Sequence, residues 1–348
     1  MKKLTSRQEL IIDILNSKKN LSISQIFGLL NENISQVTLN RDLAILVKNN
    51  FLNKTGKARA ITYSISSFYT LFKPISINVY FEKDVDNRNS AQNFNFEIFD
   101  LLTNVEVFNS QEIELLKTVK DTYQKNISEI SPTLYRKEME RLTIELSWKS
   151  AQIEGNTYSL LETEKLFLDR ESAKNKTKEE TQMLLNHKDA LNYLLQNKNL
   201  AKNLNLRVIK EVHSILIKDL GIGKNIRTRG VGITGSAYKP LDNEFQIKEY
   251  VTKMCDLINS KKDGFEKALL AIVLISYIQP FEDGNKRTAR MIGNALLINN
   301  DACPLSFRSV DSVDYKKAIL LFYEQNNMFT FKQLFIEQNE FGVKNYFQ

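Results

Sequence analysis

Cysteine and histidine are almost missing from this chain. Two of each among 348 residues exclude a disulfide framework and a zinc cluster of the usual ligands, and a reducing cytoplasm is the expected setting. Proline and glycine are also scarce, five and twelve, which speaks against many tight turns and for long helices. The longest apolar run, Ala268 to Ile278, is eleven residues with one serine, whereas a membrane-crossing helix needs about 20. It reads as a buried helix, and no membrane partner is expected. The basic start Met1-Lys2-Lys3-Leu4 is followed by Arg7, Glu9 and Asp13, which interrupt any apolar core of a secretion signal.

What is present is ordinary globular material: 42% apolar and 26% charged residues, enough chain for two or three domains. The net charge of +7 is uneven. Residues 1–66 hold ten basic against four acidic side chains, a net +6, while the remainder holds 38 against 37. A small basic module on a nearly neutral body points to a polyanion partner or to a solvated charged surface.

Within that module, Ser6-x-x-Glu9 reads as a capping box opening a helix with the face Leu10, Ile11, Ile14 and Leu15. Ser22-x-x-Gln25 repeats the device before Ile26, Leu29 and Leu30. Ser35 can cap a third helix with Leu39, Leu43, Leu46 and Val47. A turn at Gly56-Lys57 and the alternation Ile61-x-Tyr63-x-Ile65 predict a hairpin. Three short helices and a hairpin resemble a winged helix-turn-helix of the DeoR-like regulator type over residues 1–66. Such a fold implies a third helix in the major groove, with Gln36, Thr38, Asn40 and Arg41 at base edges and phosphates and with Lys57 and Arg59, beside Lys54, on the wing. Duplex DNA is the implied partner; protein contact or dimerisation, including a homodimer, is the alternative.

Residues 67–109 read as a connector with one short helix near Phe94–Leu102, and their function is not legible. Helices are predicted over Ser110–Lys125 and Pro132–Ser150. Gly230-Val231-Gly232-Ile233-Thr234-Gly235 satisfies G-x-G-x-x-G, but polar residues precede it and Pro240 follows, so the strand and helix of a dinucleotide fold are missing.

The most informative segment is Gln279-Pro280-Phe281-Glu282-Asp283-Gly284-Asn285-Lys286-Arg287-Thr288-Ala289-Arg290. It bridges an apolar helix and a second helical run. Free amides at Gly284, Asn285 and Lys286 would face an anion at that helix start. Arg287 and Arg290 supply guanidinium forks, and Asp283 is a hard oxygen ligand suited to Mg²⁺ shared with phosphates.

This segment resembles the Fic (Fido) signature H-P-F-x-[D/E]-G-N-G-R-x-x-R at Pro280, Phe281, Asp283, Gly284, Asn285, Arg287 and Arg290. The resemblance extends over about residues 110–340. It implies a mainly α, all-α Fic domain with a short β-hairpin flap, preceded by the small winged-helix domain: 1–66, connector 67–109, a helical region 110–203 and a Fic core 204–340. It implies ATP and Mg²⁺ as ligands and AMP transfer to a Ser, Thr or Tyr hydroxyl of a protein target. Asp283 would bind the metal, Gly284, Asn285, Lys286 and Arg287 would cradle the phosphates, and Arg290 would clamp the γ-phosphate. Arg227 to Pro240 resembles the flap, with Gly232, Ile233, Thr234, Gly235 and Ser236 at its tip. Ser150-Ala151-Gln152-Ile153-Glu154-Gly155 matches the family's inhibitory pattern [S/T]-x-x-x-E-[G/N], implying that Ser150, Glu154 and Gly155 form a regulatory helix end in which Glu154 competes with phosphate for Arg290.

Two positions depart from the signature. Lys286 stands where glycine is common, as in the Doc-like branch, which transfers a phosphoryl group. Gln279 stands where the signature has the histidine that takes the target's proton. An amide is no base near neutral pH, although it can position a hydroxyl. His187 and His213 read as structural histidines, and Tyr315 and Tyr323 either pack or line the pocket. Two functions follow from these residues: an autoinhibited transferase of AMP or phosphate, or a catalytically weak regulator whose DNA binding responds to nucleotide.

Overall fold

A computed structural model describes residues 4–30 and 34–348, without the Arg59 side chain. The chain divides into two compact units, Met1–Pro74 and Ile75–Gln348.

In the first unit α1 (Ser6–Lys18), α2 (Ile23–Leu29) and α3 (Gln36–Lys48) precede a hairpin of β2 (Leu52–Thr55) and β3 (Thr62–Ile65), and α4 (Ser67–Phe72) follows. A short β1 (Leu21–Ser22) completes an antiparallel sheet of order β1-β3-β2. The Ser22/Gln25 capping box and the Ser35 cap form as the sequence predicts. The first cap differs. Thr5, in extended backbone, accepts the Gln8 amide, and the Gln8 side chain accepts the Thr5 amide. The buried face differs too: Ile11, Ile12 and Leu15 enter the core, while Leu10 is 37% exposed.

The core of this unit is mostly apolar, with a buried polar contact between two of its helices. Buried Asp42 on α3 accepts from Arg7 Nε at 2.5 Å and Gln8 Nε2 at 3.2 Å, joining α3 to α1.

The second unit is helical: α5 (Ile77–Phe81), α6 (Ile98–Thr103), α7 (Ser110–Glu129), α8 (Pro132–Ile153), α9 (Leu160–Asp169), α10 (Lys178–Gln196), α11 (Leu206–Leu216), α12 (Glu244–Ser260), α13 (Gly264–Ile278), α14 (Asn285–Asn299), α15 (Ser312–Gln325) and α16 (Phe329–Asn345). The chain is mainly helical, as expected. Every residue from Ala268 to Ile278 is buried, so α13 is apolar on all sides because helices surround it. It packs on α12, α14 and α15, and α14 packs also on α8, α10 and α11.

The segment before α6 is held against this body. Phe94 stacks on Tyr277 at 4.9 Å, and the Asn95 amide donates to the Tyr277 hydroxyl at 2.8 Å. The Ala91 amide donates to the Glu324 carbonyl, and the Lys239 amide to the Gln92 carbonyl, each at 2.8 Å. Among the described residues no helix is long and apolar enough to cross a membrane.

Replacing Asp42 by Ala leaves the Gln8 amide buried without this acceptor, a loss worth about 1–3 kcal/mol. Amide hydrogen exchange in α1 and α3 of the full chain should accelerate by about tenfold or more. Unchanged exchange there would show that the Arg7–Asp42–Gln8 contact does not stabilise the unit.

Candidate phosphate-binding site

The site begins where α13 stops. Gln279 closes that helix in left-handed backbone, φ 51° and ψ 61°, and Pro280 cannot extend it. Phe281 then turns inward, fully buried, and stacks on the His213 ring at 3.6 Å with 5° between planes. Asn285 locks the bend: its Oδ1 accepts the Phe281 amide and its Nδ2 donates to the Phe281 carbonyl, both at 2.8 Å.

Gly284 sits at φ +81°, and a Cβ there would lie 3.1 Å from Ile217 Cγ2. Only glycine fits this conformation and space without strain. The first intrahelical bond of α14 runs from the Thr288 amide to the Gly284 carbonyl at 2.8 Å. The amides of Asn285, Lys286 and Arg287 come before it, at the positive end of the helix dipole; the Gly284 amide, expected to be free, instead donates to Asp283 Oδ1 at 2.5 Å.

Two buried guanidinium groups stand behind these amides. Arg287, 2% exposed, donates through Nη2 to Asp283 Oδ2 at 2.9 Å, and its Nη1 has no partner. Arg290, 1% exposed, donates through Nε to Ser150 Oγ and through Nη2 to the Ser150 carbonyl, each at 2.9 Å. Nη2 also pairs with Glu154 Oε1 at 2.8 Å. Arg290 Nη1 is buried without a hydrogen-bond partner, and the Tyr315 ring lies 5.3 Å from the guanidinium carbon. Tyr315 thus packs against the site and is fully buried.

Glu154 reaches Arg290 from the end of α8. The Gly155 amide donates to the Gln152 carbonyl at 3.0 Å and the Asn156 amide to the Ala151 carbonyl at 3.1 Å, the paired bonds of a Schellman cap. Gly155 stands at φ +99° to make that turn. The carboxylate therefore sits at the negative end of a helix, where its charge is disfavoured. Burial raises its pKa further, but Arg290 and Lys286 outweigh that and hold it below the ordinary carboxylate value. Lys286 Nζ is 3.9 Å from Glu154 Oε2.

Beside Glu154 lies a pocket of about 170 Å³ lined by Glu154, Val231 to Thr234, Gln279 and Glu282 to Lys286; the buried Arg287 and Arg290 do not themselves line it. Gly232, Ile233 and Thr234 are brought to it. Gly235 and Ser236 are engaged elsewhere: the Gly235 carbonyl accepts from Arg88, and Ser236 Oγ accepts the Tyr238 amide. Ile233 to Ser236 form a turn, closed by the Ser236 amide on the Ile233 carbonyl at 3.2 Å. No strand pairs with another within Arg227–Pro240; the one bridge there joins Lys239 to Asn93.

The Gln279 amide points inward, donating to the Ser276 carbonyl at 2.7 Å and lying 3.4 Å from the Tyr323 hydroxyl. Asp283 has a 67% exposed side chain. Among the described residues no group of three or more Cys, His, Asp or Glu could hold a metal. One exposed carboxylate is nevertheless the usual protein share for Mg²⁺, which takes its remaining ligands from phosphate and water.

Three groups were not assigned to the site by sequence reading. Arg227, buried, donates through Nε to the Gln279 carbonyl at 2.6 Å and through Nη2 to the Ile278 carbonyl at 3.4 Å. Its amide donates to the Pro280 carbonyl at 3.1 Å. It thereby caps the exposed carbonyls of α13 and ties the 227–240 segment to the bend. His213 Nε2 donates to the Asp283 carbonyl at 3.0 Å, and burial pushes its pKa down to about 4. His187 contacts Ser150 Oγ at 2.9 Å. Neither histidine lines the pocket.

The residues proposed for DNA lie in the first unit. Gln36, Asn40, Arg41 and Lys57 are exposed, Thr38 is half-buried with its hydroxyl 2.9 Å from Ser35 Oγ, and Val37 is 78% exposed. The Arg59 side chain lies outside the described residues.

Several solved structures share the fold. Fic-1 from C. elegans matches with a TM-score of 0.59 at 20% identity, over 72% of this chain and 80% of that one. A Fic domain containing signaling protein from Bacteroides thetaiotaomicron gives 0.56 at 19%, over 66% and 94%. A Fic family protein from Desulfovibrio desulfuricans gives 0.57 at 16%, over 69% and 74%. Residues 203–297 match the sequence profile of the Fic/DOC family, a stretch that contains the bend, both buried arginines and the 227–240 segment. The Fic/DOC family match is confined to residues 203–297.

Proposed function

We propose that this domain binds ATP with Mg²⁺ and transfers AMP, or another phosphate-containing group, to a protein hydroxyl, and that Glu154 restrains it. The observation that carries this reading is the Arg290 guanidinium, buried, short of one partner and held to Glu154 at 2.8 Å beside the free amides of α14. Those amides, Arg287 and Lys286 would hold the phosphates. Mg²⁺ at Asp283 would neutralise phosphate charge. Arg290 would exchange Glu154 for the terminal phosphate, since one guanidinium face cannot serve both anions. The pocket of about 170 Å³ is smaller than the roughly 300–1,000 Å³ common for small-molecule sites, as suits a site filled in part by its own carboxylate. Val231 to Thr234 would lie alongside a target segment and present backbone groups to it.

Gln279 can orient the target hydroxyl but cannot take its proton. With its amide engaged by the Ser276 carbonyl, this favours slow transfer. It also supports a second reading, in which nucleotide occupancy chiefly regulates what the protein binds. The exposed Gln36, Asn40 and Arg41 on α3 and the +6 charge of residues 1–66 support a winged helix that reads duplex DNA in a cytoplasmic setting.

Glu154→Gly should bind ATP·Mg²⁺ tighter by about tenfold or more, the worth of one charge-assisted hydrogen bond, in calorimetry. No nucleotide binding by either protein would remove both readings. Gln279→His in the Glu154→Gly protein should raise label transfer from α-labelled ATP by about 10²–10⁴-fold. Transfer from γ-labelled ATP alone would instead assign phosphoryl transfer, and no transfer from either label would leave only the regulatory reading. Duplex DNA should bind the full chain more tightly as salt falls, and Arg41→Ala should reduce the slope of log affinity against log salt by about 1. Fluorescence anisotropy that shows no binding at low salt would exclude DNA.

A further inference from the structure

His187 is fully buried on α10 and lies outside the pocket, yet its ring determines how Arg290 is held. Its Nδ1 lies 2.7 Å from the Met183 carbonyl. A carbonyl oxygen only accepts, so Nδ1 carries the proton and Nε2 of the neutral ring is an acceptor. The Ser150 hydroxyl, 2.9 Å from Nε2, must therefore donate its proton there. That leaves the Ser150 oxygen lone pairs free to accept Arg290 Nε–H at 2.9 Å. Burial pushes the His187 pKa down to about 3 against the opposing Met183 hydrogen bond, so the ring stays neutral at working pH and the directions do not invert.

The support under this ring is fixed. Neighbouring Asn186 donates to the Leu216 and Lys218 carbonyls at 3.2 and 2.7 Å and accepts from Gln182 at 2.8 Å. Arg290 is consequently gripped by two partners of different kinds. Ser150, oriented by His187, belongs to the body of α8, whereas the Glu154 carboxylate extends from the helix end and is the part that can swing away. We propose that His187 is a positioning residue for the phosphate clamp: acting through the Ser150 hydroxyl, it keeps Arg290 at the position where it now meets Glu154 even after that carboxylate withdraws. The inference rests on the proposed nucleotide site and adds a residue that acts on it from behind.

Calorimetry with ATP·Mg²⁺ and ADP·Mg²⁺ tests it in full-length Glu154→Gly protein, with and without His187→Leu or His187→Gln. The parent should prefer ATP. His187→Leu should weaken ATP binding by about tenfold, the loss of one hydrogen bond's orientation of a charged group, and leave ADP within about twofold. His187→Gln, whose side-chain carbonyl can accept from Ser150, should recover most of the preference. Equal weakening of both nucleotides, an unchanged ATP preference in the leucine variant, or no recovery with glutamine would overturn the proposal. If the leucine protein does not fold, Ser150→Ala breaks the same link and carries the same expectation. A Glu154→Gly parent with no ATP preference would instead refute Arg290 as the clamp, a failure distinct from that of His187.

Discussion

The site depends on two charges that the fold places unfavourably and then opposes to each other. Glu154 ends α8, where the helix dipole repels it, and Arg290 is buried on α14, where it has lost its water. Each is a poor arrangement alone, since removing an ion from water costs several kcal/mol even after relaxation. Together they are compatible, at 2.8 Å. The match is incomplete. Arg287 and Arg290 each keep one buried nitrogen without a partner, and Lys286 adds a third positive charge. The local balance leaves room for an anion richer than a single carboxylate.

Such a balance requires a rigid frame, because guanidinium forks discriminate only when they are held still. The frame is α13, which has no polar face and is enclosed by helices. Its C-terminal carbonyls would be a weak point, and Arg227 covers two of them. The Tyr238 hydroxyl donates to a third, on Tyr277, at 3.0 Å. Both residues come from the segment that also lines the pocket, so the bend and the neighbouring turn share hydrogen bonds and cannot move independently.

How much of this was legible depended on distance along the chain. The bend could be read because its chemistry is compressed into twelve consecutive residues, with Gly284 for close backbone approach and the arginines one helical turn apart; the Asn285 lock on Phe281 appears only in the structure. Glu154 could be read because Ser150 and Gly155 mark the same helix end. His187 to Ser150, Arg227 to Gln279 and Asn95 to Tyr277 span 37, 52 and 182 residues. Nothing in local pattern or propensity encodes such contacts; packing makes them. The Thr5 cap illustrates the smallest such failure. The spacing Ser6-x-x-Glu9 predicts the cap at Ser6, whereas the structure forms the box one residue earlier, with Thr5 and Gln8.

Gln279 separates holding from reacting. A base at that position would need a free lone pair facing the pocket, and the side chain there is an amide whose nitrogen is turned toward the Ser276 carbonyl. The surrounding phosphate-holding groups do not depend on it. Gly284 is fixed by Ile217 and His213, Asn285 by Phe281, Arg290 by Ser150 and Glu154. None of these contacts involves the Gln279 side chain, so the cradle's geometry is independent of the proton acceptor. A chain can therefore keep an intact anion receptacle while its chemistry slows, and a slowly turned-over ligand is well suited to report its own presence. In the proposed reading that report is the position of Glu154, the one charged group at the site whose location must change when phosphate arrives.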